Sequence, residues 1–219
     1  MITGRLKYKL FGRFKGRKKS KQIFTDNLNR YKVNINNDID DKNFNILDIG
    51  SGSGENALFL SNAYLNAKII TCELFEDGNI NLFNSIERNK IENIRLFKGN
   101  VLEFLDQLDY FLIFDQIWIL FPDPWPKQRH HKRRLINSSF LKKIHLYLKN
   151  SGKLMIASDS QSYIKSIIAI IYDVRELYSW KNQRVTKWNY SNLELPKTKF
   201  YKKAEKLNRN TMIFKLHKI

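Results

Sequence analysis

Short apolar runs alternate along the chain with stretches whose apolar residues fall at helical spacing. Phe44–Ile49, Lys68–Cys72, Ile94–Lys98, Gln116–Phe121 and Lys153–Ser158 have strand length and are mostly aliphatic or aromatic. Between them, Asn56–Tyr64 places Ala57, Leu58, Leu60 and Ser61 close together, and Gly78–Asn89, Val101–Leu108, Ser138–Lys149 and Gln161–Tyr172 carry helical patterns. Asn137 or Ser138 is suited to cap the helix over Ser138–Lys149, and Gly152 to close it. A helical stretch is also expected near Phe24–Tyr31. The fourth strand should stop at Pro122, because proline has no N–H to give to a ladder. The C-terminal stretch reads as a strand pair ending in Thr211–Leu216. Strands alternating with helices predict an α/β fold: a mostly parallel central sheet, helices on both faces, and an antiparallel C-terminal strand. A basic arm over residues 1–30, with Gly4, Gly12 and Gly16, is expected to precede one domain over residues 31–219.

Composition narrows this picture. With 219 residues, 42% hydrophobic and 13% aromatic, the chain can build a core and is no disordered tail. Its single cysteine, Cys72, excludes a disulfide framework and a cysteine-ligated zinc site, and favours a reducing, cytoplasmic setting. No apolar run is long enough to cross a bilayer, and the basic N-terminus has no apolar segment of the secretory kind, so no membrane association is expected. His130 and His131 are adjacent in a basic loop, a poor arrangement for gripping one ion, so no metal is expected. Either a monomer or a homodimer is compatible with these features.

The net charge of +18 matters most through its layout. Residues 1–21 hold nine Lys/Arg and no acid; residues 26–126 hold eight Lys/Arg against sixteen Asp/Glu; residues 127–219 hold twenty-two Lys/Arg against five acids. Basic ends suit a polyanion, whereas an acidic middle would repel a phosphate backbone but can hold a cationic small molecule.

Two segments carry candidate chemistry. Asp48-Ile49-Gly50-Ser51-Gly52-Ser53-Gly54 follows the first strand and opens a helix. Glycines there allow a tight turn and let a ligand lie against bare backbone. The spacing is G-x-G-x-G and departs from the dinucleotide fingerprint G-x-G-x-x-G, which weighs against a nicotinamide oxidoreductase. An acid beside the turn, Asp48, suits a ligand bearing an ammonium and a sulfonium better than a pyrophosphate. Glu73 ends the second strand, where a carboxylate can accept ribose hydroxyls, and Asn100 after the third strand can meet an adenine edge. Asp48, Gly50, Gly52, Gly54 and Glu73 resemble the cofactor motifs of class I S-adenosylmethionine-dependent methyltransferases, which implies a Rossmann-like sheet over about Phe44 to Ser158.

The second segment, Phe121-Pro122-Asp123-Pro124-Trp125-Pro126-Lys127, holds three of the four prolines and is therefore stiff. It leaves the carboxyl end of a strand, where ligands of such sheets bind, and leads into Arg129, His130, His131, Lys132, Arg133 and Arg134. Trp125 offers a flat face to an unstacked base. Together, Phe121–Arg134 closely resemble the signature of bacterial tRNA (guanine-N7)-methyltransferases. Ser158-Asp159 with Tyr163, Thr198-Lys199-Phe200, and the basic stretch Phe11–Arg17 are similar to further segments of that family. The chain departs from the family pattern at Asp48, where Glu is frequent, at Asn100, where Asp is common, and at Tyr201, where Glu is frequent.

The resemblance implies methyl transfer from S-adenosylmethionine to N7 of a guanine in tRNA, at position 46 in the variable loop. It implies a cofactor site of Asp48, Gly50, Gly52, Gly54, Glu73, Asn100 and Asp123, with Asp123 contributing to catalysis. Lys127, Asp159, Thr198, Lys199, Phe200 and Tyr201 would meet the substrate, and Arg129, Lys132, Arg133 and Arg134 the RNA phosphates. Asp159 can instead serve as a helix cap before Gln161. The alternatives are an RNA methyltransferase acting on an exocyclic base amine and a non-catalytic RNA-binding protein of the same fold.

Overall fold

The computed structural model describes residue 8 and residues 29–184, 188–190 and 195–219. After a short helix, α1 (Ile35–Asp38), strands and helices alternate: β1 (Phe44–Ile49), α2 (Glu55–Ala63), β2 (Ala67–Glu73), α3 (Glu76–Asn89), β3 (Ile94–Lys98), α4 (Val101–Leu105) and β4 (Phe114–Leu120). A 3-10 turn over Gln128–Arg133 leads to α5 (Ser138–Tyr147), β5 (Leu148–Ser158), α6 (Gln161–Asp173), β6 (Tyr178–Trp180), α7 (Lys199–Lys206) and β7 (Met212–Lys218).

These strands form one sheet in the order β3-β2-β1-β4-β5-β7-β6. The β1–β2, β1–β4, β2–β3 and β4–β5 pairs are parallel; β7 runs antiparallel to both β5 and β6. Strand order reverses between β1 and β4, the place where an open α/β sheet leaves a crevice at its carboxyl edge. The α/β class, the parallel sheet and the antiparallel C-terminal strand are thus as the apolar pattern predicts. Two apolar clusters cover the sheet's faces: one joins Leu47, Ile70, Ile117 and Ile156 to α5 and α6, the other joins Ile46, Ile69, Trp118 and Met155 to α2 and α3. Because parallel strands are covered on both faces, they read as near-continuous apolar runs.

Several boundaries differ from expectation. Helix α4 ends at Leu105, and its cap is Asn100, whose side chain accepts from the Leu102 N–H. Helix α5 is capped by Asn137, which accepts from the Phe140 N–H, but it ends at Tyr147 and passes straight into β5. Gly152 is therefore no helix terminator. It lies inside β5 beside a register shift against β4, where an added Cβ would sit 2.7 Å from the Lys149 carbonyl oxygen. Helix α7 stands where only a strand pair was expected.

The expected arm lies almost wholly outside the described residues. Tyr8 and residues 29–30 are described: the Tyr8 hydroxyl donates to Asp106 Oδ2 at 2.7 Å, and Lys143, itself paired with Asp106, reaches the same hydroxyl. Of the helix expected near Phe24–Tyr31, residues 29–31 are helical and the rest lies outside the described residues. Among the described residues, no helix is long and apolar enough to cross a membrane.

Candidate functional site

Strand β1 delivers Asp48 to the carboxyl edge of the sheet, and the chain then turns through Gly50, Gly52 and Gly54, all at positive φ, into α2. Two glycines fix this geometry. Gly54 has φ +89°, and a Cβ there would lie 2.4 Å from the buried Leu82 of α3. A Cβ on Gly78, in the first turn of α3, would lie 2.2 Å from the Gly52 carbonyl oxygen. Helix α3 thus presses on the glycine turn from outside. Glycine at a third helical position costs about 1 kcal/mol against alanine, and this close approach is the reason for it.

Beneath the turn, Asp48 is 1% exposed. Its Oδ1 accepts from Asn56 Nδ2 at 2.8 Å, while Oδ2 is buried with no hydrogen-bond partner. Burial pushes its carboxyl up to about 7 against the pull of the Asn56 hydrogen bond, and the charges of Glu73 and Glu55 add to the rise. The Ser51 hydroxyl is a second buried polar group with no partner. Asn56 Oδ1 is a third, so three polar atoms of residues lining one crevice are buried without a partner and are left for a ligand to meet. Glu73 is differently placed. Its two carboxylate oxygens accept the Gly52 and Phe75 N–H groups, each at 2.7 Å, so it also braces the turn.

One crevice gathers Asp48, Gly50, Ser51, Gly52, Glu55, Asn56 and Leu120 with Thr198 and Phe200 from the far end of the chain. Helix α7 makes this meeting. Thr198 caps it, its Oγ1 accepting from the Tyr201 N–H, and Tyr201 and Ala204 bury its inner face. Lys199 then reaches Ser53 Oγ, and the half-exposed Phe200 lies over Gly52. Tyr201, expected to touch substrate, is instead 4% exposed and packs on Tyr190 with ring centroids 4.9 Å apart. On a helix only three residues from its cap, it faces the protein while Phe200 faces the crevice.

Asp123 and Asp159 leave the carboxyl ends of the adjacent strands β4 and β5. The turn holding Asp123 is bent in a strained way: Phe121 and Trp125 have φ of +53° and +42°, rarely adopted by residues with side chains. Asp123 is exposed and three residues beyond Leu120, which lines the crevice, yet the surrounding protein displaces enough water to raise its carboxyl above the ordinary value. Asp159 does not cap α6; its Oδ2 accepts from Arg209 Nη1 at 3.0 Å. The Asn100 oxygen is spent on the α4 cap, which leaves its amide nitrogen to donate to a ligand.

The basic run divides. Lys127, Arg129 and Lys132 are exposed, and Arg133 lies over the Trp125 ring at 5.0 Å from its centroid. His130 meets the same ring edge-on at 5.8 Å. Arg134, expected to contact phosphate, is only 6% exposed. Its guanidinium is committed to Pro124, Ser162 and Ser166 inside the protein, so the expectation is corrected for this residue. Sequence reasoning also missed Ser51, Asn56 and Gly78. Only Gly78, a glycine within an expected helix, carried a readable signal. Among the described residues, no cluster of three or more His, Cys, Asp or Glu side chains is arranged to hold a metal ion.

Comparison with known proteins places this geometry. Residues 42–214 match the family model described as "Putative methyltransferase". A Buchnera aphidicola tRNA (guanine-N(7)-)-methyltransferase is 34% identical over 176 residues, covering 79% of this chain and 72% of the relative. Its Leptospira interrogans namesake is 32% identical over 157 residues, covering 72% and 70%. For the Corynebacterium diphtheriae protein of the same name the identity is 37% over 126 residues, and the chain spans about half (49%) of that relative's length. Among solved structures, an rRNA methylase from Streptococcus thermophilus superposes with a TM-score of 0.55 at 15% identity, covering 89% of this chain and 93% of that one. A Streptococcus mutans protein solved in complex with SAH gives 0.54 at 16% identity, covering 83% and 92%. Likeness at that level establishes the fold, and the sequence relatives carry the family: the chain belongs to the tRNA (guanine-N(7)-)-methyltransferases.

Proposed function

We propose that this protein transfers the methyl group of S-adenosylmethionine to N7 of a guanine in tRNA, at position 46 of the variable loop. The observation that carries the reading is the buried, half-partnered carboxylate of Asp48 beneath a bare glycine turn. An uncompensated anion in a dry site is costly, and a cationic ligand in the crevice would complete it. S-adenosylmethionine bears such cations, and bound there it supplies an electrophilic methyl group on a sulfonium. Asp48 and Ser51 would hold its charged end, Gly50, Gly52 and Gly54 would admit it against the backbone, and Glu73 and Asn100 retain lone pairs or donors for its nucleoside. That Glu73 also accepts two backbone N–H groups fits a carboxylate with four acceptor sites.

Guanine N7 has a free lone pair and no proton, so attack on the methyl carbon needs no general base. What the residues must supply is alignment and charge. Asp123, on the stiff turn that follows Leu120 of the crevice, would favour with its carboxylate the positive charge that the ring acquires on methylation. Asp159, on the neighbouring strand end, can hold the guanine edge once Arg209 yields or shares it. Thr198 and Phe200, which line the crevice, and Lys199 beside them on Ser53 would meet the target base, and the exposed Lys127 would meet the substrate. Arg129, Lys132 and Arg133 would grip phosphates, joined by Lys202, Lys203 and Lys206 on the exposed face of α7. N7 lies in the deep major groove of A-form RNA, which favours an unstacked guanine as the target.

The test is methyl incorporation into unmodified tRNA transcripts with and without a guanine at that position, followed by borohydride reduction and aniline cleavage. Scission at the variable-loop guanine is expected, since N7-methylguanosine is the product that gives it. Methylation without scission would point to an exocyclic amine, and no cofactor binding to a non-catalytic RNA-binding protein. In the same assay Asp123→Ala should hold cofactor affinity within about threefold and lose most turnover; unchanged turnover removes Asp123 from the mechanism.

A further inference from the structure

Within residues 127–134, Arg134 is the side chain that the fold takes inside. Its Nε donates to the Pro124 carbonyl at 2.9 Å, Nη1 to Ser166 Oγ at 2.6 Å and to the Ser162 carbonyl at 3.4 Å, and Nη2 to Ser162 Oγ at 3.0 Å. The guanidinium carbon lies 4.7 Å from the centroid of the Tyr163 ring. Tyr163 is itself fully buried, and its hydroxyl accepts from the Ile136 N–H at 2.9 Å. Among the described residues, none of the ion pairs includes Arg134. A buried cation neutralised only by hydroxyls, carbonyls and an aromatic face is an expensive way to stabilise a fold.

Its placement explains the expense. Pro124 stands between Asp123 and Trp125, in the turn whose flanking residues hold positive φ. Ser162 and Ser166 lie four residues apart in α6, which begins directly after Asp159-Ser160. One planar fork therefore joins the segment bearing Asp123 to the segment bearing Asp159. A strained turn persists only where its surroundings over-determine it, and three donors of fixed geometry do so here.

We infer that Arg134 is a positioning residue for methyl transfer, setting the Asp123 turn against the strand end that carries Asp159, and that it makes no RNA contact. This rests on the methyl-transfer reading above. Lysine preserves the charge but cannot reproduce the fork, and removal of the serine hydroxyls loosens the α6 side of the clamp while leaving Arg134 on Pro124.

Arg134→Lys and the double variant Ser162→Ala/Ser166→Ala are compared with the wild-type full chain. The readouts are kcat at saturating tRNA and S-adenosylmethionine, cofactor affinity by calorimetry, and the slope of log tRNA affinity against log salt. We expect kcat to fall about tenfold or more in both, as small misplacements of reacting groups do. Cofactor affinity should stay within about threefold, and the salt slope should not change. A slope smaller by about 0.7–0.9 in Arg134→Gln, which removes the charge and is measured alongside for this readout alone, would make the residue a phosphate contact and overturn the inference. Loss of cofactor affinity in step with kcat would make it a packing residue and also overturn it. If Arg134→Lys does not fold, the double serine variant decides, its turnover falling or not. An inactive wild type removes the methyl-transfer reading and this inference with it; an active wild type with undiminished variants removes the positioning role alone.

Discussion

At the scale of single residues, identity and role come apart most clearly at Asp48 and Arg134. Asp48 was expected to bind the cofactor; it lines the crevice, and what distinguishes it there is one oxygen without a partner, a fact of packing. That oxygen has a pH consequence. The folded-state carboxyl sits at about 7, above its ordinary 3.8, so it favours the ligand-free fold most below about pH 4, and that contribution is lost as pH rises through about 7. A cation beside Oδ2 favours the ionised form. Stabilisation of the protein by S-adenosylmethionine, measured as a Tm shift, should therefore grow between pH 6 and 8, and Asp48→Asn should flatten that dependence. A wild-type Tm shift with the same pH profile as Asp48→Asn would refute the assignment. Arg134 teaches the converse: it resembles Lys132 and Arg133 in the sequence, yet it is buried in a clamp. A run of like charges specifies nothing about which member turns inward.

Elements were largely readable because their periodicities are strong. Strands β1 to β5 and helices α2, α3, α5 and α6 lie where apolar spacing puts them, with ends shifted by a few residues. Helix α7 was missed because its stretch is basic, with only Tyr201 and Ala204 turned to the core. Its start signal was present in Thr198, a good cap ahead of a helical run. The glycine turn shows how two elements determine a third. Helix α3 leans on it through Leu82 at Gly54 and through Gly78 at Gly52. Gly54→Ala would combine a left-handed backbone with a clash against a fully buried side chain, together costing about 3 kcal/mol. For a domain of this size that corresponds to a Tm lower by about 10 °C, readable by calorimetry; a Tm within about 2 °C of wild type would show that the turn tolerates a Cβ.

At the scale of the molecule, the charge layout acquires a geometry. The acidic middle of the sequence builds β1, β2 and most of the crevice beside the glycine turn, while the basic C-terminal half supplies the loop that follows Leu120 and the helix α7 that adds Phe200 to that crevice. On the proposed function, such a layout would separate two partners, a polyanion outside and a small cation within. Lys202→Gln/Lys203→Gln/Lys206→Gln should weaken tRNA binding at low salt and reduce the salt slope by about 2, with kcat at saturating tRNA preserved. An unaltered slope would place the RNA on another face.

The sequence by itself determined the order of elements, the α/β class, the glycine turn with its acids, and the signature from Phe121 to Arg134, because these depend on local spacing and on residue chemistry near in the chain. Only tertiary structure decided that Thr198 and Phe200 meet Asp48 across 150 residues, that Asp48 keeps an oxygen orphaned, that Tyr201 turns inward, and that Arg134 fastens the Asp123 turn to α6. The reason is physical. Periodicity reports which face of an element is buried, but the partner that satisfies a buried polar group is chosen by packing between elements distant in sequence.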